Sequence, residues 1–136
     1  MGRAEHTRRC RVITQRYPRL NPDRDYFKTP NCLFSLGLSA GEIAVYSYLL
    51  RCEDRNSYTC YPSFRTIGKA VGLSRNTVQK YVSSLENRGL IETEKTSVLR
   101  KDGTKWNGNL KFSILPIQSA LELYNEQQLL GAERPL

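Results

Sequence analysis

The polar side chains that follow Ser74 are the group in this chain best suited to recognising a ligand. They can donate hydrogen bonds, and none of them is acidic. Arginine carries two parallel donors that match O6 and N7 of guanine, asparagine and glutamine match adenine, and a threonine methyl can contact thymine. This is the chemistry needed to distinguish base edges in double-stranded DNA. The residues expected to contact bases are Arg75, Asn76, Thr77, Gln79 and Lys80.

Two short helices separated by a glycine turn are predicted to position this group. Gly72 stands where a left-handed residue would end the first helix, Ser74 is a suitable N-cap for the second, and Gly89 ends it. Such a helix-turn-helix places its second helix in the major groove of DNA. Apolar residues recur at helical spacing in both segments, first as Phe64, Ile67 and Val71 and then as Val78, Val82 and Leu85.

The hydrophobic pattern changes from helical to extended after the second helix. Leu90–Leu99 and Leu110–Leu115 are predicted to form two paired strands, and the segment between them contains two turn sequences, Asp-Gly and Asn-Gly. Trp106, the only tryptophan, either packs against the base of this hairpin or contacts a nucleic-acid backbone. The tip of the hairpin would carry positive charge from Arg100, Lys101 and Lys105.

Two further helices are predicted on either side of this unit. Ser39 and Glu42 fit a capping box that begins a helix ending near Cys52, and the polar segment Glu53–Thr59 is expected to be a loop. Ile117–Leu130 has the apolar spacing of an amphipathic helix. This last helix either joins two copies of the chain in a homodimer or packs back on its own domain.

The segment from Leu38 to Leu115 resembles the winged helix-turn-helix family, found in bacterial regulators and in replication proteins of plasmids, phages and conjugative elements. The matching stretches are LSAGEIAVYSYLLRCEDRNSYTCYPSFRTIGKAVGLSRNTVQKYVSSLENRGLI and DGTKWNGNLKFSIL. The resemblance implies a mainly α fold with a small β-hairpin wing, of the α+β class. Gly68 departs from the alanine that similar proteins commonly carry. Glycine there costs about 1 kcal/mol of helix stability, but it suits a close approach of two helices.

Net charge is distributed unevenly along the chain, and its excess lies in the leading segment and in the predicted helix-turn-helix. The net charge of +8 is concentrated in residues 1–30, at +5, and in residues 61–90, at +4. A polyanionic partner explains this distribution, although a basic surface can also serve solubility alone. We therefore predict a basic N-terminal arm over residues 1–30, a winged helix-turn-helix domain over 31–115, and a C-terminal amphipathic helix and tail over 116–136. The arm either enters a minor groove or adds only diffuse charge.

Affinity for DNA would come mainly from basic residues that neutralise phosphates. Hydroxyl and backbone N–H groups at helix starts would add uncharged contacts. The expected phosphate contacts are Ser63, Arg65, Thr66, Lys69, Ser74, Ser83, Arg100, Lys101 and Lys105.

Other classes of protein find little support in the sequence. There is no Walker-type glycine loop and no GxSxG motif, and the only histidine, His6, lies in the arm, so we expect no enzymatic activity and no cofactor. The four cysteines have no CxxC spacing, which argues against a zinc site. No apolar run approaches the roughly 18 residues of a membrane span, and no secretory signal is evident. We expect a cytoplasmic protein with reduced thiols.

Sequence-specific binding of double-stranded DNA by a transcriptional regulator is the function that these features favour. Similar replication initiators commonly carry a second domain, for which this chain has no room. A replication or maintenance factor of a plasmid, phage or conjugative element remains the first alternative. A winged helix that binds another protein is the second, although the basic and polar outer face of the second helix argues against it.

Overall fold

The computed structural model describes residues 25–133, so most of the predicted basic arm lies outside the described part of the chain, as do residues 134–136. The described residues form four α-helices, one short 3-10 helix and five strands. A three-stranded sheet and a separate two-stranded sheet accompany the helices. The elements in chain order are the 3-10 helix Asn31–Ser35, α1 Ala40–Cys52, β1 Thr59–Cys60, α2 Phe64–Val71, α3 Arg75–Asn87, β2 Ile91–Glu94, β3 Ser97–Leu99, β4 Lys105–Asn107, β5 Lys111–Ile114 and α4 Ile117–Glu133.

Each of the first three α-helices begins after a serine N-cap, and the sequence predicts the caps Ser39 and Ser74. The side chain of Ser39 accepts the backbone N–H of Glu42, and the Glu42 carboxylate accepts the backbone N–H of Ser39, which completes the capping box. Ser63 accepts the N–H of Thr66 at the start of α2, and Ser74 caps α3 in the same way. Each cap satisfies an N–H that the helix itself leaves unpaired.

The glycine turn between α2 and α3 is confirmed, and its geometry explains Gly68. Gly72 ends α2 in the left-handed region, with φ of 75°. The chain then folds back so tightly that a Cβ atom on Gly68 would lie 2.4 Å from the carbonyl oxygen of Leu73. The N–H of Leu73 donates to the carbonyl oxygen of Gly68 at 2.9 Å. Alanine does not fit at this position in this chain.

The core sheet contains a strand that the sequence does not reveal. Its order is β1-β5-β2, with all pairs antiparallel, and Cys60 lies opposite Phe112. The predicted loop Glu53–Thr59 is therefore one residue too long, because Thr59 belongs to β1 and pairs with Ser113. A strand of two residues has no hydrophobic period of its own, so only its partner β5 defines it.

The hairpin after α3 is confirmed, but it is broken into two sheets. The predicted strand Leu90–Leu99 is interrupted at Lys95 and Thr96, which separate β2 from β3. The Thr96 hydroxyl donates to the carbonyl oxygen of Asn109, and the Gly108 N–H donates to the carbonyl oxygen of Thr96 at 2.9 Å. These bonds replace regular pairing at the break. The outer sheet, β3 with β4, is the wing.

One hydrophobic core joins the helices to the sheet. Phe64 of α2 packs its ring edge-to-face against Phe112 of β5, with 6.4 Å between centroids.

The first half of α4 packs on the same core, where Ala120 is buried. Packing back on the domain is thus the observed arrangement for that half. Leu129 and Leu130, nearer the helix end, are 64% and 63% exposed. The largest fully buried side chains are Leu33, Val45, Tyr46, Leu49, Ile67, Val78, Leu85, Leu90, Ile91 and Phe112.

Candidate nucleic-acid interface

The outward face of α3 consists of polar and basic side chains. Val78, Val82 and Leu85 are buried and fix the rotation of the helix. Asn76, Lys80 and Ser83 are exposed and follow helical spacing on the opposite side. Ser83, predicted as a phosphate contact, therefore lies in the same row as two residues predicted to contact bases. Arg75 and Gln79, which are also exposed, flank that row, and the exposed Glu86 and Asn87 follow in the last turn of the helix.

Thr77 lies away from the outward row. It is half-buried, and its hydroxyl is 2.8 Å from the hydroxyl of Ser74. Ser63 and Thr66 form an equivalent pair at the start of α2, also at 2.8 Å. Each pair has two hydroxyl hydrogens and uses one in the shared bond, so one O–H remains to donate outward. Both helix starts thus keep a hydroxyl donor for an anion beside their free backbone N–H groups.

Basic side chains from α2 and α3 converge beside the base of the wing. Arg65 and Arg75 line an open cleft of about 600 Å³, whose other wall is the segment Gly108–Leu110. Asn109 donates from its side-chain nitrogen to the carbonyl oxygen of Tyr61 at 3.1 Å, which ties this wall to the approach to α2. Lys69, the remaining predicted phosphate contact of α2, is exposed. The cleft therefore joins predicted phosphate and base contacts in one surface.

A buried carboxylate holds α3 against α1. Glu42 is only 6% exposed. Its Oε2 accepts from Arg88 Nε at 2.9 Å and from the Ser84 hydroxyl at 3.0 Å. Arg88 also donates to the carbonyl oxygen of Leu36 at 3.1 Å. These bonds fix the end of α3, and with it the direction in which the outward row points.

The environment of Glu42 keeps this carboxylate charged. Burial alone raises the pKa of a carboxylic acid. Here the hydrogen bonds from Ser39 and Ser84, together with the positive charge of Arg88, outweigh burial and lower the pKa of Glu42 below its usual 4.5. The network that holds α3 is thus ionised at neutral pH.

The wing presents its predicted basic residues to solvent. Arg100, Lys101 and Lys105 are exposed. Asp102 is engaged within the turn, where its carboxylate accepts the hydroxyl of Thr104 at 2.6 Å and the N–H of Thr104 at 3.1 Å. Those hydrogen bonds lower the pKa of Asp102.

Trp106 does not pack against the base of the wing. It stands on β4 and is 53% exposed, with the Arg100 guanidinium 3.5 Å from the centre of its ring. The expectation of packing at the base was wrong because the break at Thr96 separates the wing sheet from the core sheet.

Two contributors to this surface were missed by sequence reasoning. Lys95 is exposed at the break between β2 and β3, beside the wing, where an uninterrupted strand was expected. Asn109 belongs to an Asn-Gly-Asn turn, and its sequence gives no sign that it reaches the carbonyl of Tyr61. The positive charge of Lys95 could have been included from the sequence alone. The hydrogen bond from Asn109 to Tyr61 could not, because it depends on long-range packing.

The described residues contain no cluster of side chains suited to binding a metal ion. Within residues 25–133, no group of three or more His, Cys, Asp or Glu side chains is placed to hold a metal ion. Cys32, Cys52 and Cys60 are free thiols. Burial raises the pKa of Cys60 to about 12. No helix in the same range is both long enough and apolar enough to cross a membrane.

Comparison with known proteins agrees with this architecture. Residues 36–91 match the model of a family described as a helix-turn-helix domain. A solved structure described as a possible transcriptional regulator from Methanosarcina mazei Go1 is similar, with a TM-score of 0.52 and 15% identity. The similarity covers 81% of this chain and 91% of that chain. A search of curated proteins gives no match.

The glycine turn between α2 and α3, followed by a hairpin, defines a winged helix-turn-helix fold of the mixed α+β class. Residues 36–91 of this fold are the part that is similar to the helix-turn-helix domain family.

Proposed function

We propose that this protein binds double-stranded DNA in a sequence-specific manner and acts as a transcriptional regulator. The observation that supports this most is the outward row of α3, Asn76, Lys80 and Ser83, which is polar, exposed and free of acidic residues. Arg65 of α2 lines the same cleft as Arg75, and the exposed wing carries further basic residues. The surface thus combines groups that discriminate bases with groups that neutralise phosphates.

In this proposal α3 enters the major groove with its N-terminal half. Asn76 and Gln79 would pair with adenine, Arg75 with guanine, and Lys80 with either a base or a phosphate. Thr77, which lies to one side, would contribute its methyl rather than its hydroxyl. Serine and threonine hydroxyls at the starts of α2 and α3 would meet phosphates, and Arg65, Lys69 and the wing cations would do so by charge.

The composition of the interface supports DNA binding, and the role as a regulator is supported by a solved structure of the same fold. The Methanosarcina mazei structure, which shares the fold, is itself described as a possible transcriptional regulator. Nothing in the described residues favours replication over regulation, so we propose regulation. An apolar or acidic face on α3 would favour a partner protein, whereas the exposed residues of its N-terminal half are basic or polar.

We further propose that the protein pairs with a second copy through the end of α4. Ile117 and Ala120 already pack on the domain, so the surface available to a partner is the exposed pair Leu129 and Leu130 rather than the whole of Ile117–Leu130. One helix-turn-helix contacts few base pairs, and two copies would double the information in the site. A twofold dimer would place two α3 helices roughly 34 Å apart on an inverted repeat.

The test is a selection from random duplexes followed by binding measurements on the selected site. Arg75→Ala is expected to lose about 1–3 kcal/mol of discrimination between the selected site and a scrambled duplex. Arg51→Ala is the control, because Arg51 is an exposed arginine in the last turn of α1 and lies outside the proposed surface. The absence of any enriched sequence would refute sequence-specific binding. Equal weakening of both duplexes by Arg75→Ala would refute a base contact by that residue.

A further inference from the structure

The wing displays apolar side chains that take no part in the core. Trp106 and its cross-strand partner Val98 are 53% and 58% exposed. They lie on one face of the β3–β4 sheet, because directly opposed residues point the same way. That sheet is separate from the core sheet, and neither residue belongs to the core cluster. A grouped, exposed aromatic and aliphatic pair is typical of a contact surface.

Arg100 holds the tryptophan ring in a defined position. Its guanidinium lies 3.5 Å from the ring centroid, which is the distance of direct stacking. Arg100 directly follows β3, and its N–H donates to the carbonyl oxygen of Thr104, so the strand alternation continues to Arg100 and places it on the same face as Val98 and Trp106. The guanidinium therefore covers one face of the indole ring, and a planar partner would stack on the other face.

The charge around this surface limits what it can bind. Residues 95–107 contain four basic residues and one acid, Asp102, whose carboxylate is already hydrogen-bonded to Thr104. An uncharged apolar partner would gain nothing from these cations. A nucleotide offers both a flat apolar ring and a negative phosphate, and aromatic side chains flanked by basic ones are the usual platform for unpaired bases. Bases inside a duplex do not offer this face, because neighbouring base pairs cover it.

We propose that Trp106, together with Arg100, is a stacking site for one unpaired nucleobase beside the duplex that α3 binds. This proposal rests on the proposed function, because the duplex brings the unpaired nucleotide to the wing. The site would make the protein prefer a duplex that ends in a single-stranded extension, or that carries an unpaired base, over a continuous duplex of the same sequence.

Trp106 itself reports on this contact, since it is the only tryptophan in the chain. Excitation at the red edge of the absorption band avoids tyrosine, which does not absorb there. The full chain is titrated with two DNAs while the fluorescence of Trp106 is followed. One is a blunt hairpin duplex, and the other is the same duplex with a short single-stranded extension. Stacking predicts strong quenching by the extended duplex, weak quenching by the blunt one, and tighter binding of the extended duplex.

Variants assign the effect to the ring. Trp106→Ala should remove the preference for the extended duplex, a loss of roughly 5- to 150-fold for one base–aromatic stack, while Trp106→Phe should keep part of it. Leu99→Ala is the matched control. Leu99 is a 69% exposed apolar residue on the same sheet, but adjacent to Val98 and so on the opposite face. Its removal should leave the preference unchanged. Labelled DNA supplies the binding signal for all three variants.

The outcomes separate this proposal from the function on which it rests. Normal binding of both duplexes with unchanged Trp106 emission would overturn the stacking site and leave DNA binding intact. Failure to bind either duplex would overturn both. A response of Trp106 to a polyglutamate peptide, with none to the extended duplex, would also overturn the proposal and assign the face to an acidic protein segment.

Discussion

At the scale of single residues, Gly68 shows how a local preference is overruled by a contact. Its helix position favours alanine, and the family resemblance implies the same. The carbonyl of Leu73 occupies the space that a Cβ atom would need, at 2.4 Å. Because that neighbour is backbone within a tight turn, it cannot rotate away as a side chain would.

We therefore expect Gly68→Ala to destabilise the protein by about 1–3 kcal/mol, the usual cost of overpacking. The measurement is urea unfolding. Gly131→Ala is the matched control, because Gly131 is also a glycine within an α-helix, but a methyl group added there would meet no other atom within 4 Å. That change should stabilise by up to about 1 kcal/mol. A Gly68→Ala protein as stable as the wild type would show that the turn can open to admit a methyl group.

The same scale decides which site residues were predictable. Arg75, Asn76, Gln79 and Lys80 were identified from residue type and helical period, and all four are exposed. Thr77 was grouped with them, although the helical period of Val78, Val82 and Leu85 already turns it to the side of the helix. The roles of these residues in binding bases stay predictions.

At the scale of elements, local signals predicted well and long-range ones did not. Helix caps at Ser39, Ser63 and Ser74 depend on residues three apart, so the sequence reveals them directly. Strand β1 exists only because β5 pairs with it, and the break at Thr96 depends on Asn109. The division of the hairpin into two sheets and the exposure of Trp106 follow from that break and could not be predicted.

The junction between α1 and α3 gives a prediction for pH dependence. Since the folded pKa of Glu42 lies below its usual 4.5, the Glu42–Arg88 network stabilises the fold above about pH 4.5 and loses this effect as the pH falls through the folded pKa. Glu42→Gln should cost about 1.5–3 kcal/mol near neutral pH, the range for hydrogen bonds to charged groups. The cost should shrink in acid.

Unfolding free energies of both proteins at about pH 7 and about pH 3 measure this difference. Because both proteins share all other titratable groups, the contributions of those groups to the pH dependence cancel in the comparison. One of them is Glu53, whose pKa is raised by burial and which therefore changes stability with pH in the opposite direction. Glu122→Gln, at an exposed carboxylate of α4, controls for the loss of one charge. A cost for Glu42→Gln that stayed constant with pH would contradict the ionised network.

At the scale of the whole molecule, α4 links the fold to assembly. Its first half covers Leu36 and Leu90 of the domain, and its second half leaves Leu129 and Leu130 exposed. A deletion of the whole helix would therefore uncover the core as well as remove the proposed dimer contact.

Substitution of the exposed pair tests assembly without that complication. Leu129→Ser with Leu130→Ser should convert a dimer at micromolar concentration to a monomer, as measured by light scattering, and should leave the melting temperature nearly unchanged. Binding to an inverted repeat should weaken more than binding to a single half-site. A wild-type protein that is monomeric both free and on its DNA would exclude the dimer.

The central claim is that one surface, formed by α2, α3 and the wing, binds the DNA duplex. The most direct test is the salt dependence of duplex binding. A plot of the logarithm of the association constant against the logarithm of the salt concentration has a negative slope. Its magnitude should decrease by roughly one unit for each phosphate contact that Lys101→Ala with Lys105→Ala removes. Arg51→Ala with Arg55→Ala removes the same charge from exposed positions outside this surface and should leave the slope unchanged. An unchanged slope in the wing variant, or an equal fall in both variants, would contradict the account.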